Sequence, residues 1–305
     1  MAITIGIAGI TGKFARLVVS NLLQYKEVDI RGFCRDPAKL PRDVLSSPRV
    51  TVVQGNATDR DAIRQFAKGC NVIVCCYLGD DTLMTEGQKL LVDACELEKV
   101  ERYVASDYCL DYTKLEYGQH PAKDPMKKVK AYLEEERKSV RGVHVLIGAF
   151  METFWGKFFG IFDADEVQFS YYGTGDELWE STTYGTAAEY VAAIAADRNA
   201  VGMFHLLGDR KSIRQIAEEF AQVYGKQAQL RNLGSLDDLF KAMQTRFQNE
   251  PSNVWAWMPL FYQYYCTNGQ TYLKQDLDNK KYANIEPTTF RGFMSSHEMD
   301  KLGNA

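Results

Sequence analysis

Along the first 150 positions, short runs of apolar and β-branched residues alternate with segments whose apolar residues recur at helical spacing. The runs Ile3–Ala8, Val28–Cys34, Val50–Gln54, Asn71–Tyr77, Arg102–Ser106 and Val143–Gly148 predict strands. Between them, Phe14–Gln24, Arg60–Lys68, Met84–Leu97 and a segment near Met126–Ser139 predict helices. Repeated strand-helix-strand units join parallel strands by right-handed crossovers, so the pattern predicts an α/β protein with a doubly wound parallel sheet. After Phe150 the alternation stops and an aromatic stretch follows: Met151, Phe154, Trp155, Phe158, Phe159, Phe162, Tyr171 and Tyr172. Further on, helices are predicted at Thr186–Ala196, Ile213–Tyr224, Leu236–Gln248 and Asn253–Cys266, with a strand at Gly202–Leu207. We read residues 1–150 as one domain and 151–305 as a smaller C-terminal α/β lobe that binds the substrate, with segments interleaved between the two. No internal repeat or low-complexity linker separates them.

Composition narrows the partners. The 305 residues are 46% hydrophobic and 25% charged, ordinary for a folded chain. A net charge of −4 offers no basic field, which argues against nucleic acid or an anionic membrane surface as partner. No run of about 18 apolar residues is present, so no membrane span is expected. The apolar N-terminus is short, broken by glycine and without a basic leader, so it reads as a first strand and the expected location is cytoplasmic. Seven cysteines without a C-x-x-C pair predict reduced thiols, and four well-separated histidines predict no metal. A monomer or homodimer acting on a small molecule is the expected form.

The most informative local pattern follows the first strand directly. Gly9-Ile10-Thr11-Gly12-Lys13-Phe14-Ala15 is a G-x-x-G-x-x-A loop that opens a helix. The first glycine permits the tight turn, the second admits backbone to a pyrophosphate, and the small third residue lets helix and strand approach closely. A helix N-terminus adds amide donors and a favourable dipole. The alternative is a purely structural turn. At the end of the second strand, where an acid would hold a ribose 2′-hydroxyl, the chain reads Cys34-Arg35-Asp36-Pro37-Ala38-Lys39. Arg35 and Lys39 suit a 2′-phosphate, which predicts NADP(H), while Asp36 keeps NADH open. Asn56, Cys76 and Tyr77 fall at strand ends where the adenosine half would rest, although Cys75 and Cys76 also fit a buried core.

With Ile7 to Ala15, Arg35-Asp36-Pro37-x-Lys39-Leu40 and Arg102-Tyr103-Val104-Ala105-Ser106-Asp107 in order, the chain resembles the NmrA-like atypical short-chain dehydrogenase/reductases. Val129-Lys130-Ala131-Tyr132-Leu133-Glu134 and Gly148-Ala149-Phe150-Met151-Glu152 extend the likeness to fungal members related to isoflavone reductases. The resemblance implies a Rossmann domain with NADP(H), a substrate cleft beside a small C-terminal lobe, and aromatic secondary metabolites as substrates. It also implies a helix lysine near the nicotinamide, three residues before the position matching Val129, and that position here is Met126. The common Tyr-x-x-x-Lys dyad is absent.

Candidate chemistry therefore centres on Ser106, Asp107 and Tyr108 after the fifth strand, with Asp107 as acid or base and Tyr108 as proton donor. Lys127 enters if the helix slips by one residue, and Lys123 or Lys130 share a face with Met126. The same lysines also suit a solvated basic face. Phe150 is expected at the cofactor, and Met126, Met151, Trp155 and Trp179 at a flat apolar substrate, with plain core as the alternative. Three functions fit: an NADPH-dependent reductase of an aromatic ketone, enone, quinone or imine; an NADP(H)-binding enzyme of non-redox isomerisation or rearrangement; and a non-enzymatic NADP(H) sensor.

Overall fold

The computed structural model describes residues 3–136 and 139–304. Seven strands, β1 (Ile3–Ala8), β2 (Val28–Cys34), β3 (Val50–Gln54), β4 (Val72–Cys75), β5 (Arg102–Val104), β6 (Arg141–Leu146) and β7 (Gly202–His205), form one sheet ordered β7-β6-β5-β4-β1-β2-β3. Parallel register is set by Ile3 opposite Val28, Ile30 opposite Val50, Ile5 opposite Val72, Val72 opposite Arg102 and Arg102 opposite Arg141. Strands buried on both faces read as continuous apolar runs, and Val72-Ile73-Val74-Cys75 is buried throughout. The chain winds outward from β1 to β3, then returns to place β4 on the other side of β1. At that reversal the crossovers leave in opposite directions, opening a crevice at the carboxyl ends of β1 and β4.

The flanking helices include α1 (Lys13–Leu22), α2 (Arg60–Ala67), α3 (Gln88–Glu98), α4 (Asp124–Ala131) and α5 (Tyr184–Ala196). In α1 the buried residues Ala15, Val18, Val19 and Leu22 recur at helical spacing and form its sheet-facing stripe. Asp59 caps α2 by accepting from the Ala62 amide at 3.0 Å. The helix expected from Met84 begins as a π-helical turn, Leu83–Gly87, and becomes α-helical from Gln88. Likewise α4 begins at Asp124 and passes into a π turn over Tyr132–Glu136, and its expected continuation through 137 and 138 lies outside the described residues.

Two compact units divide the chain, the first comprising Met1–Tyr108, Ala122–Val145 and Ala187–Phe204, the second Cys109–Pro121, Leu146–Thr186 and His205–Ala305. A single cut at residue 150 does not describe this division. Most of α5, with its nearly continuous buried run Ala187–Ala195, and β7 at the sheet edge return to the first unit.

The second unit holds two three-stranded sheets. One is ordered Asp209–Ser212, Leu178–Thr182, Ala149–Phe150; the other Gln229–Asn232, Gln168–Tyr171, Phe162–Asp163. Gly148 leads into the first with φ +70°, and a Cβ there would lie 2.3 Å from the Glu180 carbonyl oxygen, so only glycine fits. Through the aromatic stretch the chain forms a short helix, Met151–Trp155, that ends at extended Gly156. Trp155 packs among Phe154, Phe162, Phe169, Phe290 and Phe293 in the core of this unit. Two capping boxes, Ser212 with Gln215 and Ser235 with Asp238, start Ile213–Tyr224 and Leu236–Asn249.

Candidate functional site

The turn after β1 is held by backbone. Gly9 takes φ +78°, its amide donates to the Phe33 carbonyl at 2.9 Å, and a Cβ on it would stand 3.0 Å from the Cys76 carbonyl oxygen and 3.2 Å from the Tyr77 ring. Glycine is therefore required by conformation and by space. The Gly12 amide donates to the Gly9 carbonyl at 3.0 Å, closing the turn. Gly12 is also the N-cap of α1 and brings no side-chain acceptor to its first-turn amides. A phosphate is the natural partner for such an end. Lys13 is exposed, Thr11 and Phe14 are half-buried, and Ala15 is fully buried as the close-packing third position.

At the end of β2, Arg35 and Lys39 are both exposed. The Asp36 carboxylate accepts from the Ala38 amide at 3.1 Å and caps the short Pro37–Lys39 turn. Gln54 holds the Arg35 carbonyl at 2.9 Å, fixing the backbone from which the guanidinium extends. Asn56 is exposed just past β3. Past β4, Cys76 is half-buried, and Tyr77 is buried with its hydroxyl lacking a hydrogen-bond partner. Burial pushes the Tyr77 phenol up.

The turn after β5 is pinned from several directions. The Ser106 amide donates to Gln88 Oε1 at 3.0 Å, and its hydroxyl donates to the Tyr77 carbonyl at 2.7 Å. Gln88, fully buried at the start of α3, also accepts from the Tyr103 hydroxyl at 3.1 Å. Asp107 Oδ2 lies 2.6 Å from His144 Nδ1 on β6, both side chains being buried. Tyr108 takes φ +24°, donates its hydroxyl to the Cys75 carbonyl at 3.0 Å, and sets its ring 4.7 Å from that of Phe14. Burial, then the neighbouring Cys76 and Cys75, raises the Tyr108 phenol well above its ordinary value. The two side chains expected to exchange protons are thus both engaged by the protein. His144 and Gln88 were not singled out from sequence; their partners lie 37 and 18 residues away in the chain, and it takes the parallel pairing of β5 with β6, and the packing of α3 beside them, to bring each pair together.

Lys123, at the N-cap of α4, is 1% exposed, and its Nζ lies 3.8 Å from Met126 Sδ. Lys127 is half-buried and Met126 buried. The α4 helix packs against the Leu83–Gly87 turn that follows β4, on the carboxyl side of the sheet. The buried amine of this region is one helical turn ahead of Lys127.

In the second unit, Met151, Trp155 and Trp179 are buried, Trp179 against Phe154 and Phe159 with ring centroids 5.3 Å away in each case. A crevice lined by Trp179, Tyr171, Ile213 and Leu239 has a volume of ≈ 10 Å³, room for about one water. Phe150 is half-buried and stacks on Tyr184 at 4.0 Å and 20°. Among the described residues no group of His, Cys, Asp or Glu can hold a metal ion, and no helix is long and apolar enough to cross a membrane.

Comparison with known proteins agrees with this geometry. Residues 9–143 match a family model described as NAD(P)H-binding, so this part of the chain is an NAD(P)H-binding domain. Over 80 residues the chain is 30% identical to oxidoreductase ptaF of Pestalotiopsis fici, a match spanning 25% of this chain and 31% of that relative. Isoflavone reductase superimposes with a TM-score of 0.80 at 16% identity, covering 97% of this chain and 99% of its own. AtPrR2, solved with NADP+ and (+)pinoresinol, superimposes with a TM-score of 0.78 at 14% identity, covering 97% and 99%. The chain shares the fold of isoflavone reductase and AtPrR2 along nearly its whole length.

Proposed function

We propose that the chain is an NADPH-dependent reductase of a small aromatic ketone, enone, quinone or imine of secondary metabolism. The observation that carries this reading is the buried Lys123 amine at the head of α4, in the same unit as the glycine loop. An amine at the head of this helix carries exchangeable protons, which suits a group that gives and takes back a proton. Methionine at position 126 therefore does not leave the region without a proton carrier. Arg35 and Lys39 would hold the 2′-phosphate, Asp36 being engaged at Ala38, and this supports NADPH over NADH. Gly9, Gly12 and the first turn of α1 would hold the pyrophosphate.

When bound, the cofactor supplies hydride to the substrate's electrophilic carbon. The chain's part is to orient the substrate, exclude water and deliver a proton from Lys123 Nζ to the heteroatom or carbon that gains negative charge. Relatives of this fold support the aromatic class: the AtPrR2 structure contains pinoresinol. The test is incubation with NADPH deuterated at the transferable C4 position and a panel of aromatic ketones, enones, quinones and imines. Deuterium in a product is the expected result. Tight NADPH binding with substrate conversion but no label transfer overturns the reductase reading in favour of a rearrangement; binding with no conversion across the panel overturns it in favour of a sensor.

A further inference from the structure

Tyr108 is one of three non-glycine residues with positive φ among the described residues, at +24°. Such a conformation persists for a bulky side chain only where its surroundings over-determine it. Here they do. Upstream, Ser106 is tied to Tyr77 and Gln88, and Asp107 to His144. The Tyr108 hydroxyl is tied to the last residue of β4 through the Cys75 carbonyl. Its ring rests at a 55° tilt on Phe14, in the first turn of α1. The residue therefore spans two places that a dinucleotide must touch together, the end of β4 and the helix start that faces the phosphates.

Building on the NADP(H) reading above, we propose that Tyr108 is a positioning residue for the cofactor's pyrophosphate and not a proton donor. Its strained backbone presses the ring against Phe14 and so fixes the first turn of α1 relative to the carboxyl edge of β4. A loop held this way meets the pyrophosphate already in its bound shape, and cofactor affinity is gained because less ordering remains to be done on binding.

The test titrates the unaltered protein and the variants Tyr108→Leu, Tyr108→Phe and Phe14→Leu with NADPH and with adenosine 2′-phosphate, which lacks the pyrophosphate. Tyr108→Leu and Phe14→Leu are each expected to weaken NADPH about 10-fold while leaving adenosine 2′-phosphate within about twofold. Tyr108→Phe, which keeps the ring, should fall between those variants and the unaltered protein. Unchanged NADPH affinity in Tyr108→Leu overturns the proposal. An equal loss for both ligands also overturns it, since that marks a general packing defect. If Tyr108→Leu does not fold, Phe14→Leu, at a half-buried position, decides by the same two affinities. If the unaltered protein binds neither ligand, the cofactor reading fails and the proposal falls with it; if it binds both and the variants match it, only the proposal fails.

Discussion

Lys123 is 1% exposed and sits at the head of α4, whereas Lys127 on the next turn keeps part of its surface in solvent. The two lysines therefore separate by function. Lys123→Met is expected to lower kcat by about 100-fold or more with NADPH affinity retained, and Lys127→Met to stay within about twofold. Steady-state rates and cofactor titration on both variants check this, and equal effects would remove Lys123 from its role. Arg35 is treated the same way: Arg35→Ala should weaken NADPH about 10-fold and NADH less than about twofold, read by fluorescence titration. The sequence pointed to the loop, to Arg35 and to Asp107 because each rests on a local pattern. It pointed past Lys123 toward Lys127 because burial is decided by what packs on a helix, and four lysines within eight positions look alike in one dimension.

At the scale of elements, the central strands were legible because strands buried on both faces must be apolar throughout, as in β4, and edge strand β3 by its β-branched Val50-Thr51-Val52-Val53 although Thr51 and Gln54 are exposed. The short strands of the second unit were not. Asp209–Ser212 reads DRKS and Gln229–Asn232 reads QLRN, the latter exposed along its length, so neither carries the apolar signal that strand reading depends on. Arg102 shows the same difficulty. It reads as a charged first residue of β5, yet the side chain is buried and donates to the carbonyls of Ile194, Ala195 and Ala200 at 3.1, 2.8 and 3.4 Å. Those carbonyls close α5 and the turn after it, where a helix leaves acceptors unsatisfied and its dipole favours a cation. Arg102→Leu removes the donors and leaves the acceptors buried, so a loss of about 3 kcal/mol is expected, with Arg102→Lys restoring only part. Urea unfolding should show this as a lower midpoint at an unchanged m-value. A loss below about 0.5 kcal/mol in Arg102→Leu would mean that water replaces the guanidinium at these carbonyls.

Across the whole molecule, the seven cysteines are all free, and six of them are buried. Burial pushes Cys70 up to about 11 and Cys75 up to about 12, and it raises Tyr224 and Tyr265 to about 12. Each of these groups holds its proton more tightly in the folded chain than in the unfolded one. The stability they contribute is therefore complete below the unfolded values, near 9 for the thiols and 10 for the phenols, and is lost as pH rises toward the folded ones. For Cys70 and Cys75 the loss can reach about 1.4 kcal/mol per pH unit each within that window. The chain should consequently show nearly constant stability from neutral pH to about 8.5, then a steep fall above about 9. Thermal unfolding measured across that range checks the prediction, and Cys75→Ala should flatten the alkaline limb while leaving the neutral plateau shifted only by the packing it loses. A thiol reagent applied at pH 8 should react fully only after denaturant is added, because buried protonated thiols offer neither access nor thiolate. Rapid labelling of several thiols in the folded protein, or a stability that stays level to pH 11, would show that these cysteines are reached by solvent and that the first unit's core opens more readily than its packing implies.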